Sequence, residues 1–239
     1  MNLEGKRAVV TGGGSGYGRG IAAAFVKAGA KVWITGRDEA KLRRTAAEIG
    51  ATSIVADVTR GADWDRVFAE VPDMDVLVNN AGAGGRIAPL AEQSDADVVE
   101  AVNVNLTGAI LGCSRAAKAM SARKEGAIVN ISSVCAIHAW PGWSVYTAAK
   151  AGLLKFSHAL HTEMRPFGVK VTCVIPSWGQ TDFNRAAGIA GASEDPSLAA
   201  RCMSPGQMGE FVLGLVRLPA ELTVPEVTIQ PMVQDIVPM

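Results

Sequence analysis

The sequence lacks an excess of charge of either sign, a long apolar run and a targeting segment. Its 239 residues carry 23 Lys and Arg against 23 Asp and Glu, so no overall field favours nucleic acid or an anionic membrane. No apolar stretch approaches the roughly 18 residues of a membrane helix, and the first residues do not resemble a signal peptide. We therefore expect a cytoplasmic protein that binds neither nucleic acid nor membrane.

Signals for disulfides and metal sites are also missing. The four cysteines, Cys113, Cys135, Cys173 and Cys202, are scattered without a CxxC pair, and only three histidines are present. This pattern predicts reduced thiols that mostly serve as small core residues. The histidines show no ligand spacing with these cysteines, so we expect no metal.

Apolar, β-branched runs alternate with helix-length segments along the whole chain. The predicted strands are Arg7–Thr11, Lys31–Thr35, Ser53–Ala56, Asp75–Val78, Ala127–Ile131, Val169–Ile175 and Glu226–Ile229. The predicted helices are Gly18–Ala28, Asp38–Ile49, Asp95–Ala122 and Ser144–Arg165. Several strands are apolar on both faces, as in a parallel sheet between helix layers. The alternation predicts an α/β fold with a Rossmann-type, doubly wound, predominantly parallel seven-stranded sheet and helices on both faces, as a single domain over residues 1–239.

The segment from about residue 177 to 205 interrupts this alternation. It is rich in glycine and proline and has only weak periodicity. Long irregular stretches in compact domains are often lids or binding loops. We expect a substrate loop here, and a tolerated surface insertion is the alternative.

A glycine-rich turn follows the first predicted strand directly. It runs Thr11-Gly12-Gly13-Gly14-Ser15-Gly16-Tyr17-Gly18 and leads into a helical pattern. Free N–H groups at a helix N-terminus bind phosphate, and glycines let the backbone approach a pyrophosphate. The spacing is TGxxxGxG rather than GxGxxG. The turn predicts a dinucleotide site, against the alternative of a loop that only needs positive φ angles.

The end of the second predicted strand bears on the choice of cofactor. NAD-binding folds place an acidic residue there to bind the ribose 2′-hydroxyl, whereas this strand ends in Thr35-Gly36-Arg37-Asp38. Gly36 leaves room for a 2′-phosphate, and Arg37 could pair with it. Asp38 lies where a helix N-cap is expected. This pattern favours NADP over NAD without excluding NAD.

Tyr146 and Lys150 are the strongest candidates for chemistry. At positions i and i+4 of a predicted helix they share one face, and a nearby ammonium lowers the pKa of a phenol. A solvated helix face would explain an isolated YxxxK. Here Ser133 ends a strand thirteen residues earlier, Asn79-Asn80-Ala81-Gly82 follows another strand, and Asn105 lies in a predicted long helix.

In this order, these motifs resemble the short-chain dehydrogenase/reductase family over essentially the whole chain. The resemblance implies that Ser133, Tyr146 and Lys150 are catalytic, with Asn105 holding a water in a proton relay. It further implies a cofactor site made of Gly12, Ser15, Gly16, Tyr17, Gly18, Arg37, Asp57, Val58, Asn79, Ala81, Gly82, Tyr146, Lys150, Pro176 and Thr181.

The chain also departs from the family pattern. The family usually has Pro-Gly after the sixth strand, where this chain has Pro176-Ser177-Trp178-Gly179. Many NADP-binding members carry a basic residue at the position of Ser15, so Arg37 would act alone. The ending Glu226-Val227-Thr228-Ile229-Gln230-Pro231 is similar to members that act on serine and related 3-hydroxy acids.

These observations predict an oxidoreductase that transfers a hydride between NADP(H), or NAD(H), and a carbonyl or secondary alcohol. The alternative is a non-catalytic NADP-binding module for redox sensing or interaction. Trp140, Trp143 and Trp178 are candidates for an apolar substrate wall or for the core. The predicted helices Asp95–Ala122 and Ser144–Arg165 are apolar over more than one face, which favours a homodimer or homotetramer.

Overall fold

Seven parallel strands form the centre of the molecule. In this computed structural model, which describes residues 1–183 and 196–234, they are β1 (Arg7–Thr11), β2 (Lys31–Gly36), β3 (Thr52–Val55), β4 (Val76–Asn79), β5 (Gly126–Ile131), β6 (Val169–Pro176) and β7 (Glu226–Ile229). They pair in the order β3-β2-β1-β4-β5-β6-β7. The order reverses between β1 and β4, which makes this the point where the sheet opens a crevice at its carboxyl edge.

Helices connect the strands. They are α1 (Gly16–Lys27), α2 (Glu39–Ile49), α3 (Gly61–Glu70), α4 (Asp95–Val102), α5 (Gly108–Arg123), α6 (Ser144–Met164), α7 (Pro196–Ala199) and α8 (Pro205–Arg217). Short 3-10 turns lie at Leu90–Glu92, Val134–Ala136 and Arg165–Phe167. The doubly wound, single-domain prediction is confirmed.

Three of these helices, α3, α7 and α8, were missing from the sequence prediction, and α7 lies inside the predicted substrate loop. The start of α8 carries a local signal, because Ser204 accepts a hydrogen bond from the Gln207 backbone N–H and the Gln207 side chain returns one to Ser204. This reciprocal pair is a capping box, and Pro205 occupies the first helical turn, where its missing N–H has no cost.

Apolar side chains fill both faces of the sheet. One core combines Val10 and Ile34 of the sheet with residues of α1, α2 and α8, such as Phe25. The other combines Leu77 and Ile128 with residues of α3, α5 and α6. Because both faces are covered, the central strands are apolar throughout instead of alternating.

The predicted long helix Asp95–Ala122 contains a wider turn. Residues Asn103–Thr107 form a π-helical turn between α4 and α5. The side-chain amide of Asn105 donates to the carbonyl oxygen of Ala101 at 3.0 Å, and thereby satisfies a carbonyl four residues earlier. Such bulges are frequent at functional sites.

The predicted substrate loop is held together at its two described ends. The N–H of Gln180 donates to the Met203 carbonyl at 2.9 Å, and the N–H of Met203 donates to the Trp178 carbonyl at 3.2 Å. Residues 184–195 of this predicted loop lie outside the described residues. Over the described ranges, no helix has both the length and the apolar character needed to cross a membrane.

Candidate active site

A cavity of about 760 Å³ lies over the carboxyl ends of the central strands. The segments that follow β1, β2, β4, β5 and β6 all contribute to its lining, together with α6. Parallel sheets of this order bind ligands in this crevice. Of the site residues predicted from the sequence, those that line it are Gly12, Ser15, Gly16, Tyr17, Arg37, Ala81, Gly82, Ser133, Tyr146, Lys150, Pro176 and Thr181.

One end of the cavity, here called the glycine end, is the turn between β1 and α1. Gly12 has φ +64°, and a Cβ there would lie 2.9 Å from the Ala81 Cα. Gly16 has φ +51°, and its Cβ would lie 3.3 Å from the Thr181 side chain. Both positions need glycine for conformation, and in both a side chain would enter space beside the crevice.

The N-terminus of α1 is open at this end. Its N-cap residue, Ser15, makes no side-chain capping hydrogen bond, whereas α2, α4 and α8 are capped by Asp38, Ser94 and Ser204. The first-turn N–H groups of α1 are therefore available to an anion, and the helix dipole favours one. This arrangement fits the pyrophosphate of a dinucleotide.

Two cations, Arg37 and Lys41, lie on the same end of the cavity. Arg37 follows β2 and is exposed. Asp38, the neighbouring acid, accepts a hydrogen bond from the Lys41 backbone N–H at 3.0 Å. Its carboxylate thus caps α2, as expected from the sequence, and the side chain of Lys41 is a second basic group that the sequence analysis did not single out.

The opposite end, here called the tyrosine end, is built around Tyr146 at the start of α6. Its side chain is buried, and both Tyr146 and Ser133, which follows β5, line the cavity. The Ser133 hydroxyl accepts a hydrogen bond from the Cys135 N–H at 3.2 Å, which orients it. Burial raises the pKa of the Tyr146 phenol above its usual value, and the nearby Ser133 side chain opposes that rise.

Lys150 lies one helical turn after Tyr146. Its Nζ donates to the Ile131 carbonyl at 3.0 Å and lies 5.7 Å from the centre of the Tyr146 ring. The side chain is buried, and burial lowers the pKa of Lys150 to about 8. An ammonium at this position would stabilise a phenolate on Tyr146.

Asn105 approaches the same place from the π-helical turn. Its amide group donates to the Ala83 carbonyl at 2.7 Å, and its Oδ1 accepts from the Ala83 N–H at 3.2 Å. A Cβ on Gly82 would lie 2.9 Å from Asn105 Oδ1 and 3.4 Å from Lys150 Nζ. Gly82 therefore lets the amide and the ammonium approach each other across the chain.

Five of the site residues predicted from the sequence do not line the cavity: Gly18, Asp57, Val58, Asn79 and Asn105. The side chain of Asn79 is buried and donates to Asn130 at 2.9 Å and to Cys113 at 3.2 Å. Asp57 accepts hydrogen bonds from the N–H and hydroxyl of Thr59, at 2.9 and 2.7 Å. In the free protein these side chains organise the strand ends.

Several residues that line the cavity were not predicted from the sequence. Asn80, the neighbour of Asn79, lines the cavity, as do Phe183 and Gln234. The strand period shows that Asn79 and Asn80 point to opposite sides of the strand end, but it does not show which of the two faces the cavity. Phe183 and Gln234 reach the cavity because of the path that the chain takes after β6 and β7. No local sequence pattern predicts that path.

The sequence left two roles open for Trp140, Trp143 and Trp178, a substrate wall or the core. All three line the cavity. Trp143 packs edge-on against Tyr146, with ring centres 5.6 Å apart. Among the residues that the structure describes, no group of three or more His, Cys, Asp or Glu side chains is placed to hold a metal.

Comparisons with known proteins agree with this geometry. Residues 6–190 match the family described as short chain dehydrogenase. The chain is 34% identical over 220 residues to D-xylose 1-dehydrogenase of Caulobacter vibrioides, covering 90% of this chain and 88% of that protein. It is 30% identical over 235 residues to serine 3-dehydrogenase of Agrobacterium fabrum, covering 95% and 94%.

Solved structures extend the likeness to the whole fold. The closed form of serine dehydrogenase complexed with NADP⁺ superimposes with a TM-score of 0.88 at 27% identity, covering 98% of each chain. The 3-ketoacyl-(acyl-carrier-protein) reductase from Brucella melitensis complexed with NADH gives 0.85 at 28% identity, covering 95% of this chain and 98% of that one. Sheet order, crevice and family match lead to one conclusion: the chain belongs to the short-chain dehydrogenase family of oxidoreductases.

Proposed function

We propose that this protein interconverts a ketone and a secondary alcohol with NADP(H) as cofactor, through a site made of Tyr146, Ser133, Lys150 and Asn105. The observation that carries the proposal is that Tyr146, Ser133 and Lys150 line the same crevice, with the buried Lys150 Nζ 5.7 Å from the centre of the Tyr146 ring. Two hydroxyl groups and an ammonium group, from α6 and from the segment after β5, converge on one place.

The proposed chemistry assigns each side chain a separate task. When bound, the nicotinamide supplies or accepts the hydride. In the direction of reduction, Tyr146 donates a proton to the substrate oxygen, and in the direction of oxidation it accepts one. Ser133 donates a hydrogen bond to the same oxygen and thereby orients the carbonyl.

The electrostatics of the free site favour a protonated tyrosine. Burial raises the pKa of Tyr146, so the phenol holds its proton at neutral pH and is ready to act as an acid. Lys150 acts in the opposite sense, because its charge stabilises the phenolate that remains after proton transfer. Asn105 stands beside Lys150 across Gly82 and would hold a water in the path that returns the proton.

The residues of the glycine end fit a dinucleotide. Gly12, Ser15, Gly16, Tyr17 and Gly18 would form the turn around the pyrophosphate, and Asp57 and Val58 would flank the adenine. The segment Asn79–Gly82 would support the adenosine side, with Pro176 and Thr181 near the nicotinamide. The position of Arg37 on the cavity wall supports NADP over NAD, and the two named neighbours, one complexed with NADP⁺ and one with NADH, leave that preference to measurement.

The proposal includes the substrate loop, residues 177–205, and an oligomer. The face of α4 to α6 retains exposed or half-buried apolar side chains, including Val99, which is 56% exposed. A homodimer or homotetramer would cover them. Light scattering at micromolar concentration tests this, and a mass of 24.9 kDa, that of one chain, would contradict it.

The decisive experiment is Tyr146→Phe, assayed against a library of ketones and secondary alcohols with both cofactors. We expect cofactor binding and fold to persist while turnover falls about 10²–10⁴-fold, since general acid catalysis contributes that much. Near-normal kcat in the variant would reject Tyr146. If the wild-type protein turned over no compound of the library yet bound NADP(H), the non-catalytic module would be the better description.

A further inference from the structure

The tyrosine end of the cavity is walled by aromatic rings. Trp143 and Phe183 stack with ring centres 6.4 Å apart and planes inclined by 17°. Phe183 lies 5.4 Å from the Tyr146 ring, and Trp143 lies 5.6 Å from it. The proposed proton donor therefore stands in an aromatic cluster, and a substrate bound at its hydroxyl would lie close to these rings.

The remaining walls beside Tyr146 are also mostly apolar. Val134 and Cys135 are buried and lie on the cavity, and Trp140 and Trp178 line it from either side. The N–H of Trp178 donates to Gln234 Oε1 at 3.0 Å, so the side-chain oxygen of Gln234 already has a hydrogen-bond partner in the segment after β6. Aromatic and apolar walls with few polar groups suit a ligand of the same character.

Charge is distributed unevenly along the cavity. Its described cations are Arg37 and Lys41 at the glycine end, and Lys150, which is buried and donates to a backbone carbonyl. The charged side chain that lines the cavity beside Phe183 is a carboxylate, Asp182. In the described part of the tyrosine end, no arginine or second lysine is placed to pair with a substrate carboxylate, and an unpaired charge is costly to move out of water.

From these observations we infer that the substrate is an uncharged ketone or secondary alcohol with an aromatic or bulky apolar substituent, and that carboxylate-bearing substrates are disfavoured. The inference rests on the proposed function and narrows its substrate class. The substrate class inferred here differs from the one that the C-terminal segment suggests, because that segment is similar in sequence to family members that act on serine and related 3-hydroxy acids. That similarity concerns β7 and the residues after it, whereas the inference concerns the walls around Tyr146.

A matched pair of ligands isolates the effect of charge. Methyl 4-acetylbenzoate and 4-acetylbenzoate present the same ketone and ring and differ in one negative charge. Calorimetric titration of each into wild-type protein saturated with NADP⁺ measures binding without turnover. We expect the ester to bind at least about tenfold more tightly, because the described walls around Tyr146 offer the carboxylate no cationic partner. Equal or tighter binding of the carboxylate would overturn the inference.

Kinetics give a second, separate readout. We expect kcat/KM for oxidation of 1-phenylethanol to exceed that for serine and for 3-hydroxybutanoate, and the reverse order would overturn the inference while leaving the proposed function intact. If no alcohol or ketone were turned over at all, the proposed function would fail, and the calorimetric comparison would still decide whether the cavity prefers uncharged aromatic ligands.

Phe183→Ala tests whether the aromatic wall makes the contact. We expect affinity for methyl 4-acetylbenzoate to fall about tenfold, the effect of losing an aromatic contact. Phe167→Ala is the matched control, because Phe167 is 41% exposed and lies outside this cavity. Circular dichroism verifies folding of both variants, and Phe183→Leu replaces Phe183→Ala if the latter fails to fold. Equal affinities in the Phe183 and Phe167 variants would mean that the wall does not bind the ligand.

Discussion

The two ends of the cavity present different kinds of surface to a ligand. At the glycine end the wall is backbone: Gly12 and Gly16 have positive φ angles, and the first turn of α1 has no side-chain cap. At the tyrosine end the wall is made of side chains, with Tyr146 and Lys150 buried and rings packed around them. Backbone N–H groups can bind the phosphate groups that many ligands have in common, whereas a particular set of side chains can select one substrate.

This difference determines how each end responds to mutation. Backbone surfaces depend on close approach, so the addition of a single methyl group can disrupt them. Side-chain surfaces depend on chemistry and charge, so they respond to pH and to the loss of one functional group. We therefore expect the glycine end to be sensitive to an added methyl group and the tyrosine end to be sensitive to charge and pH.

The largest effect is expected from Gly18→Ala. A Cβ on Gly18 would overlap the Gly12 carbonyl and lie 2.5 Å from Asn80 Nδ2, so overpacking should lower the free energy of unfolding by about 3 kcal/mol. Gly14→Ala is the control, because its Cβ would lie 3.6 Å from the Leu42 side chain, an ordinary contact. Urea denaturation and NADP(H) titration measure both variants. If the two behaved alike, close approach at Gly18 would not matter.

Arg37→Ala tests the one place at the glycine end where we expect a side chain to choose the ligand. The variant should weaken NADP(H) binding by about 1.5–3 kcal/mol, the range for a charged hydrogen bond, and barely affect NAD(H). Lys41→Ala, on the neighbouring turn, shows whether the second cation contributes. Titration of both cofactors measures the effects, and equal losses for the two would show that Arg37 does not read the 2′-phosphate.

The buried ammonium at the tyrosine end predicts a dependence of stability on pH. The pKa of Lys150 is about 8 in the folded protein against an ordinary 10.5, so the unfolded chain binds more protons between these values. The free energy of unfolding should therefore gain up to about 1.4 kcal/mol per pH unit as pH rises above 8. Lys150→Met should lack this gain.

The comparison of the two proteins is best made from pH 7.5 to 9 by urea denaturation. Above pH 9 the buried thiols act in the opposite direction, because burial raises the pKa of Cys113 to about 12 and that of Cys173 to about 11. The contribution of Cys113 is common to both proteins and cancels in the difference, whereas that of Cys173 does not cancel fully, because the charge of Lys150 lowers the Cys173 pKa. Parallel pH profiles would contradict a depressed pKa at Lys150.

The smallest effect is expected from Asp38→Ala. Because Asp38 caps α2, the variant should lose about 1 kcal/mol of stability and keep the preference between NADP(H) and NAD(H). Ser94→Ala removes the equivalent cap of α4 and should cost a similar amount. A selective loss of NAD(H) affinity in the Asp38 variant would assign Asp38 to the ribose instead of to the helix.

The sequence was most informative where a residue's role depends on its neighbours along the chain. Strand bounds followed from apolar runs, and the cap at Asp38 followed from its position before a helix. It missed α3, α7 and α8, although the capping box of Ser204 and Gln207 marks the start of α8. It also chose Asn79 where Asn80 lines the cavity, because the pattern did not show which side of the strand end faces the crevice.

By itself, the sequence determined the doubly wound sheet, the glycine turn and the pairing of Tyr146 with Lys150, since each depends on local periodicity or on spacing within one helix. Only the tertiary structure decided what surrounds Tyr146. Phe183 and Gln234 reach the cavity from segments after β6 and β7, and the π-helical turn brings Asn105 to Gly82. Such contacts join residues far apart in the chain, and the packing of whole elements sets them.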